Sequence, residues 1–257
     1  MKLKKFVLFS VFLCHSLTSV PPREIPPHLL NEFTNDGQTP IVYYYIDESS
    51  KSQMPFYSKE LVDDLIIQAN LKSPQYYENT DTWLFELLDE HPNLFKGKTV
   101  AVLGSGYPWY EAVVLAYGGH PFSIDYRQIE TDDPRLKVMT VKDYKKKPKK
   151  FDVLLSISSF EHDGLGRYGD PLDPNGDIRA MHDCFEMIHS NGKLILAVPI
   201  GEDCLVWNAH RIYGPHRLSK LLQGWKIVDI RGDYMKMFEL PSGNCYEQPI
   251  FLLEPEA

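Results

Sequence analysis

From Thr99 to the end of the chain, short apolar runs rich in β-branched residues alternate with segments whose apolar positions recur every three to four residues. That is the pattern of a parallel sheet whose strands are connected by helices packed on its faces. The runs cover residues 99–103, 121–125, 136–141, 151–156, 193–199, 225–231 and 248–253, which predicts seven strands. Between them the spacing predicts helices over 109–117, 177–189 and 215–222, with Pro215 suited to a first turn and Asp177 to a cap or first-turn acid. Upstream, segments 58–70 and 81–90 place Leu61 and Leu65, then Trp83, Leu84, Leu87 and Leu88, at helical spacing. These two helices are expected to cap the sheet or roof a site.

The first nineteen residues follow a different pattern. Lys2, Lys4 and Lys5 precede an apolar run over 6–14, and the small polar residues Ser16, Thr18 and Ser19 follow it. This is the layout of a secretory signal peptide, and the run falls short of the ~20 apolar residues a spanning helix needs. It implies a secreted or lumenal protein with no membrane span after cleavage. Pro21, Pro22, Pro26, Pro27 and Pro40 then mark a linker or extended arm. The expected organisation is a signal at 1–19, a Pro-rich arm and helical extension at 20–95, and one domain at 96–257. Cleavage leaves Cys184, Cys204 and Cys245, enough for one internal bridge, and Cys204 with Cys245 is the preferred pair because Cys184 falls in a predicted helix.

Composition narrows the class. At 43% hydrophobic and 24% charged, the 257 residues exclude a disordered, collagen-like or multi-span membrane protein. A net charge of −8 argues against a chain that tracks nucleic acid or an anionic bilayer and favours a small-molecule or neutral partner. The lysines at 145, 146, 147, 149 and 150 read as a solvated loop.

The candidate chemistry starts where the run Thr99–Leu103 enters Gly104-Ser105-Gly106 and then a predicted helix. Glycines there let backbone approach a ligand, and free N–H groups at a helix start favour a negative group. A nucleotide-like ligand is implied. Trp109 stands where the dinucleotide fingerprint has its third glycine, which disfavours NAD. Asp125 ends the next run, about 20 residues on, where a carboxylate can accept both hydroxyl hydrogens of a ribose.

Leu103-Gly-Ser-Gly106, Ser123-Ile-Asp125, residues 151–156 followed by Phe160-Glu-His162, and the stretch 188–199 resemble the motifs of class I S-adenosylmethionine-dependent methyltransferases over roughly 98–253. More closely, 159–171 with 208–214 resembles a nematode domain family related to those enzymes. The resemblance implies a Rossmann-like α/β fold, a seven-stranded mostly parallel sheet with one antiparallel strand, and S-adenosylmethionine as cofactor. It assigns cofactor contacts to Gly104, Ser105, Gly106 and Asp125, with the adenine beside Asp143. Val102 stands where these enzymes carry an acid and Pro108 where they carry a third glycine; Glu111 and Glu161 are the alternatives for the acid.

Ligands of open parallel sheets bind at the carboxyl ends of strands, so the loop after the fourth strand should face the glycine turn. His162 is the expected base, oriented by Asp163 or Glu161. His210, Arg211 and Tyr213 can reach the same rim, with Arg211 able to grip an anionic acceptor bidentately. No spacing supports a metal site, and Ser105 lacks the flanking glycines of a hydrolase elbow. Two functions remain: a secretory-pathway methyltransferase for a small-molecule, lipid or glycan acceptor, and a non-catalytic binding protein built on the same fold.

Overall fold

The computed structural model describes residues 20–48, 54–241 and 246–256. The expected signal peptide and Cys245 lie outside them. The main sheet contains β1 (Thr99–Leu103), β2 (His120–Asp125), β3 (Lys137–Thr140), β4 (Phe151–Ile157), β5 (Ile188–Ala197), β6 (Trp225–Arg231) and β7 (Ile250–Pro255). Their order across the sheet is β3-β2-β1-β4-β5-β7-β6. Pairings from β3 to β5 are parallel, and β7 runs antiparallel to both neighbours. The chain is therefore a Rossmann-like α/β protein with a seven-stranded, mostly parallel sheet.

Six helices matter for the site: α1 (Lys59–Asn70), α2 (Glu78–Glu90), α3 (Trp109–Ala116), α4 (Val141–Lys146), α5 (Gly176–Met187) and α6 (Pro215–Leu221). Side chains alternate across a strand, so β1 sends Val100 and Val102 to one face and Ala101 and Leu103 to the other. The first pair packs with Leu65 of α1, Leu84 and Leu88 of α2, and Val113 of α3. The second packs with Met181 and Cys184 of α5 and Leu218 of α6. The helical extension thus shares its core with the sheet, and Cys184 is buried in its helix as the sequence predicts.

Two differences from the sequence pattern are instructive. β5 starts at Ile188, five residues before its apolar run, because Phe151 pairs with Ile188 while Val153 already pairs with Lys193. The surplus residues form a bulge, and Gly192 lies where a Cβ would press into Asp152 O and His189 O. The second difference is a separate three-stranded sheet. Ile41–Tyr44 of the Pro-rich arm pairs in parallel with Cys204–Asn208, which pairs antiparallel with His210–Ile212. Among the described residues no helix is long and apolar enough to cross a membrane.

Candidate functional site

The carboxyl ends of β1, β2 and β4 meet around Gly104. This residue has φ +72°, and a Cβ there would collide with the Ser159 side chain, so only glycine lets the loop after β4 approach. Ser105 N donates to Asp125 Oδ2 at 2.9 Å, tying the turn to the end of β2. From the extension, the buried Tyr57 hydroxyl donates to Ser105 O at 2.6 Å. Gly106 is more open, since a Cβ would stand 3.7 Å from Arg127 Nη2 and 3.8 Å from Tyr76 Oη. Asp81 at the start of α2 holds that aromatic edge by accepting from Tyr76 N at 2.9 Å and Tyr77 N at 3.3 Å, and Tyr76 stacks on Tyr107.

Asp125 has an unforeseen neighbour. Arg127 N and Nε donate to Oδ1 at 2.7 and 3.3 Å, and Nη2 reaches Oδ2 at 3.5 Å. The guanidinium also lies 5.8 Å from the centre of the Tyr168 ring. Glu111 turns into the core instead of toward the rim: Ser123 Oγ donates to its Oε1 at 2.6 Å, and burial raises its carboxyl above the ordinary range. Asp143 lies in the first turn of α4, three residues past Thr140, the residue that pairs with Asp125 in the sheet. There it pairs with Lys146 and, through Thr140 Oγ, closes the first turn of α4.

After β4, Ser158 (φ +51°) turns the chain into a short 3-10 turn, Phe160–His162. His162 Nδ1–H donates to Ala209 O at 2.6 Å, which fixes the tautomer and leaves Nε2 with its lone pair. Neither expected orienter does this work: Glu161 Oε1 lies 3.6 Å from Nε2, and the Asp163 carbonyl accepts from Arg211. Burial, with Arg167 nearby, depresses the imidazole to about 3, a weak base at neutral pH. Glu161 is the reverse case. Burial lifts its carboxyl to about 7, although Ser158 Oγ donates to Oε1 at 2.6 Å. Of the two, Glu161 is therefore the one whose charge changes near neutral pH. Burial and the neighbouring Asp170 likewise raise the Asp163 carboxyl.

The second predicted cluster divides. His210 joins His162, with ring centres 6.3 Å apart, and meets Tyr246 on its other side at 5.3 Å. Arg211 and Tyr213 do not reach the rim. In place of an anionic acceptor, the Arg211 guanidinium donates to the carbonyls of Glu161, Asp163, Asp173 and Pro174, and its Nε lies 3.8 Å from Asp177. Tyr213 is wholly buried and donates to Asp177 Oδ2 at 3.0 Å. Burial opposes charge on Asp177, but Arg211 and Arg217 outweigh it and hold the carboxyl below its ordinary range. These groups form a scaffold under the loop. Arg127, Tyr57 and Ala209 are the site residues that sequence reasoning missed, and only Arg127, two positions beyond Asp125, left a signal near a motif.

Residues 97–252 match the family described as "Caenorhabditis protein of unknown function, DUF268", more than half of the chain. The chain belongs to this family. No curated protein sequence matches it. Among solved structures it is similar to the Burkholderia thailandensis 1,6-didemethyltoxoflavin-N1-methyltransferase, whose structure holds S-adenosylhomocysteine, with TM-score 0.48 and 14% identity over 75% of this chain and 79% of that one. It is similar also to an S-adenosylmethionine-dependent methyltransferase from Clostridium acetobutylicum, with TM-score 0.46 and 13% identity over 76% and 98%. A third is the [4+2]-cyclase SpnF, with TM-score 0.48 and 14% identity over 79% and 98%.

Proposed function

We propose that this DUF268 member is an S-adenosylmethionine-dependent methyltransferase acting on a small acceptor. The observation that carries the reading is the tie between the glycine turn and the strand-end acid: Ser105 N–H donates to Asp125 across the carboxyl ends of β1 and β2. Ligands of open parallel sheets bind at that end. The donor set suits an adenosine, because a carboxylate has about four acceptor positions for the two ribose hydroxyls. Here Ser105 and Arg127 fill them, so a ribose enters as Arg127 gives way. Its side chain is 29% exposed, which leaves it room to move. Gly104, Ser105, Gly106 and Asp125 would then hold the cofactor, with Asp143 near its base. When bound, the cofactor supplies an electrophilic methyl group.

The Asp125–Arg127 pair is also the observation that favours the second reading, a non-catalytic binding protein whose acid is already satisfied. Calorimetry with S-adenosylmethionine, S-adenosylhomocysteine and NAD separates the two. Saturable binding of the first two alone supports the methyltransferase, and no binding at millimolar concentration leaves the second reading. Asp125→Asn is expected to weaken binding at least tenfold, while Arg127→Ala, which unblocks the carboxylate, is expected to tighten it. A weaker Arg127→Ala complex would mean that Arg127 contacts the cofactor instead of competing with it. The leader at 1–19 supports action in the secretory pathway, which the amino-terminal sequence of the mature chain tests directly.

A further inference from the structure

Three residues around the His162 ring each carry a fully buried polar atom without a hydrogen-bond partner: Glu161 Oε2, Arg167 Nε and His210 Nε2. Their side chains belong to one cluster. Arg167 Nη1 and His162 Nδ1 share the Ala209 carbonyl, Glu161 lies beside His162, and the His210 ring packs edge-on against the His162 ring. Each such atom left bare costs roughly 1 to 3 kcal/mol, and nine-tenths or more of buried polar groups in proteins have a partner. Three bare atoms on residues of one cluster therefore mark it as a place for a polar ligand.

The chemistry of that object follows from the three atoms. Glu161 Oε1 already accepts from Ser158, so Oε2 is the free acceptor. Arg167 Nε–H is a donor whose charge is balanced by Glu48 at 3.1 Å. Burial, with Arg167 nearby, keeps the His210 imidazole neutral, depressed to about 4, so Nε2 can carry a single hydrogen. In the tautomer with the hydrogen on His210 Nε2, the cluster offers two donors and one acceptor. A hydroxyl has one hydrogen to give and two lone pairs to receive, and it is the complement. A carboxylate or phosphate would set its oxygens against Glu161, and an ammonium would set its hydrogens against Arg167.

We infer that this cluster binds the hydroxyl of a neutral small molecule, its O–H directed to Glu161 Oε2 and its lone pairs to Arg167 Nε and His210 Nε2. Tyr168, 5.5 Å from His162 between ring centres, and Tyr246, 5.3 Å from His210, flank it. Tyr246 remains 36% exposed, which gives the outer wall an aromatic face open to solvent. The body carrying the hydroxyl is accordingly a flat ring, as in a phenol. When the hydroxyl is activated, its O–H bond breaks, the electron pair stays on oxygen and the proton forms a new bond to Glu161 Oε2. That such a hydroxyl is a methyl acceptor rests on the methyltransferase reading; that it binds here does not.

The test uses phenol, benzoate and benzylammonium as probes of similar size, titrated by ligand-observed NMR into the full chain. Phenol is expected to bind saturably, with both charged probes at least tenfold weaker. Glu161→Gln is expected to weaken phenol about tenfold, and His210→Phe, which removes one donor while keeping a ring, by a smaller factor. Should Glu161→Gln fail to fold, the His210 variant alone decides. Absent phenol binding, or equal affinity in the variants, overturns the inference and assigns the three atoms to a buried water. S-adenosylmethionine binding is measured on the same samples. If phenol fails while the cofactor binds, only this inference falls; if phenol binds and the cofactor does not, the hydroxyl site stands and the methyltransferase reading falls.

Discussion

Adjacent in sequence, Glu161 and His162 respond to burial in opposite directions, and both responses are linked to stability. The Glu161 carboxyl has a reference value of 4.5 and a native value of about 7. Between those values an unfolded chain releases a proton that the native state keeps. The contribution of Glu161 is therefore fully present below pH 4.5 and lost as pH rises through about 7. His162 falls from 6.5 to about 3, so its contribution is present above pH 6.5 and lost as pH falls toward 3. Glu161→Gln is expected to be more stable than the parent at pH 8, by about 3 kcal/mol at most, with the advantage gone at pH 4. His162→Gln is expected to flatten the acid limb instead. Thermal melts from pH 4 to 8 read both, and an alkaline limb unchanged in Glu161→Gln would refute the burial argument. Residue types alone could nominate His162 and Glu161 as acid–base candidates; they could not rank them, because the ranking depends on the Ala209 carbonyl and Ser158 hydroxyl that the fold supplies.

At the scale of elements, the loop between β4 and α5 is shaped by buried charge. Asp177 accepts from Arg217 Nε at 2.8 Å and from Tyr213, and lies beside Arg211, whose donors span both ends of the loop. Asp177→Asn removes the counter-charge of two arginines, one of them 2% exposed. A loss of about 3 to 5 kcal/mol is expected in urea unfolding, and a loss under 1 kcal/mol would show that the loop is held by its turns alone. The strands of the main sheet were legible because covered β-branched runs have few other uses. The bulge at Ile188 was not, since it is set by how closely Asp152 passes Gly192. Arg211 was misassigned for a related reason: a sequence displays five donors but not the carbonyls that a loop folds toward them. The place of Asp125 at the end of β2 was legible because its spacing from Gly104 is set by one strand-helix-strand unit.

For the whole molecule, the arm is the part least expected from the pattern. Proline density marked it as extended, yet nothing local announced that Ile41–Tyr44 would find Cys204–Asn208. The join is closed by Phe33 packing edge-on against the buried Trp207 at 5.2 Å, with Ile25, Leu165 and Leu205 around them. Asn208 Oδ1 accepts from Ile46 N at 2.8 Å, and Arg167 pairs with Glu48, so the arm also braces the cluster around His162. Phe33→Ala is expected to cost about 3 to 5 kcal/mol and to speed proteolytic cleavage within residues 20–48, with the main sheet still protected. Simultaneous loss of protection in both would mean that the arm and sheet unfold as one.

The same join sets a timetable for synthesis. Ile46 and Asn208 are 162 residues apart, and a ribosome adding ~5–20 residues per second needs roughly 10 to 30 s to cover that distance. Throughout that interval the emerging amino-terminal segment, with Ile25, Phe33 and Ile41, has no sheet edge to join. A growing chain halted before Cys204 should be cut readily within the arm, whereas one released at full length should resist.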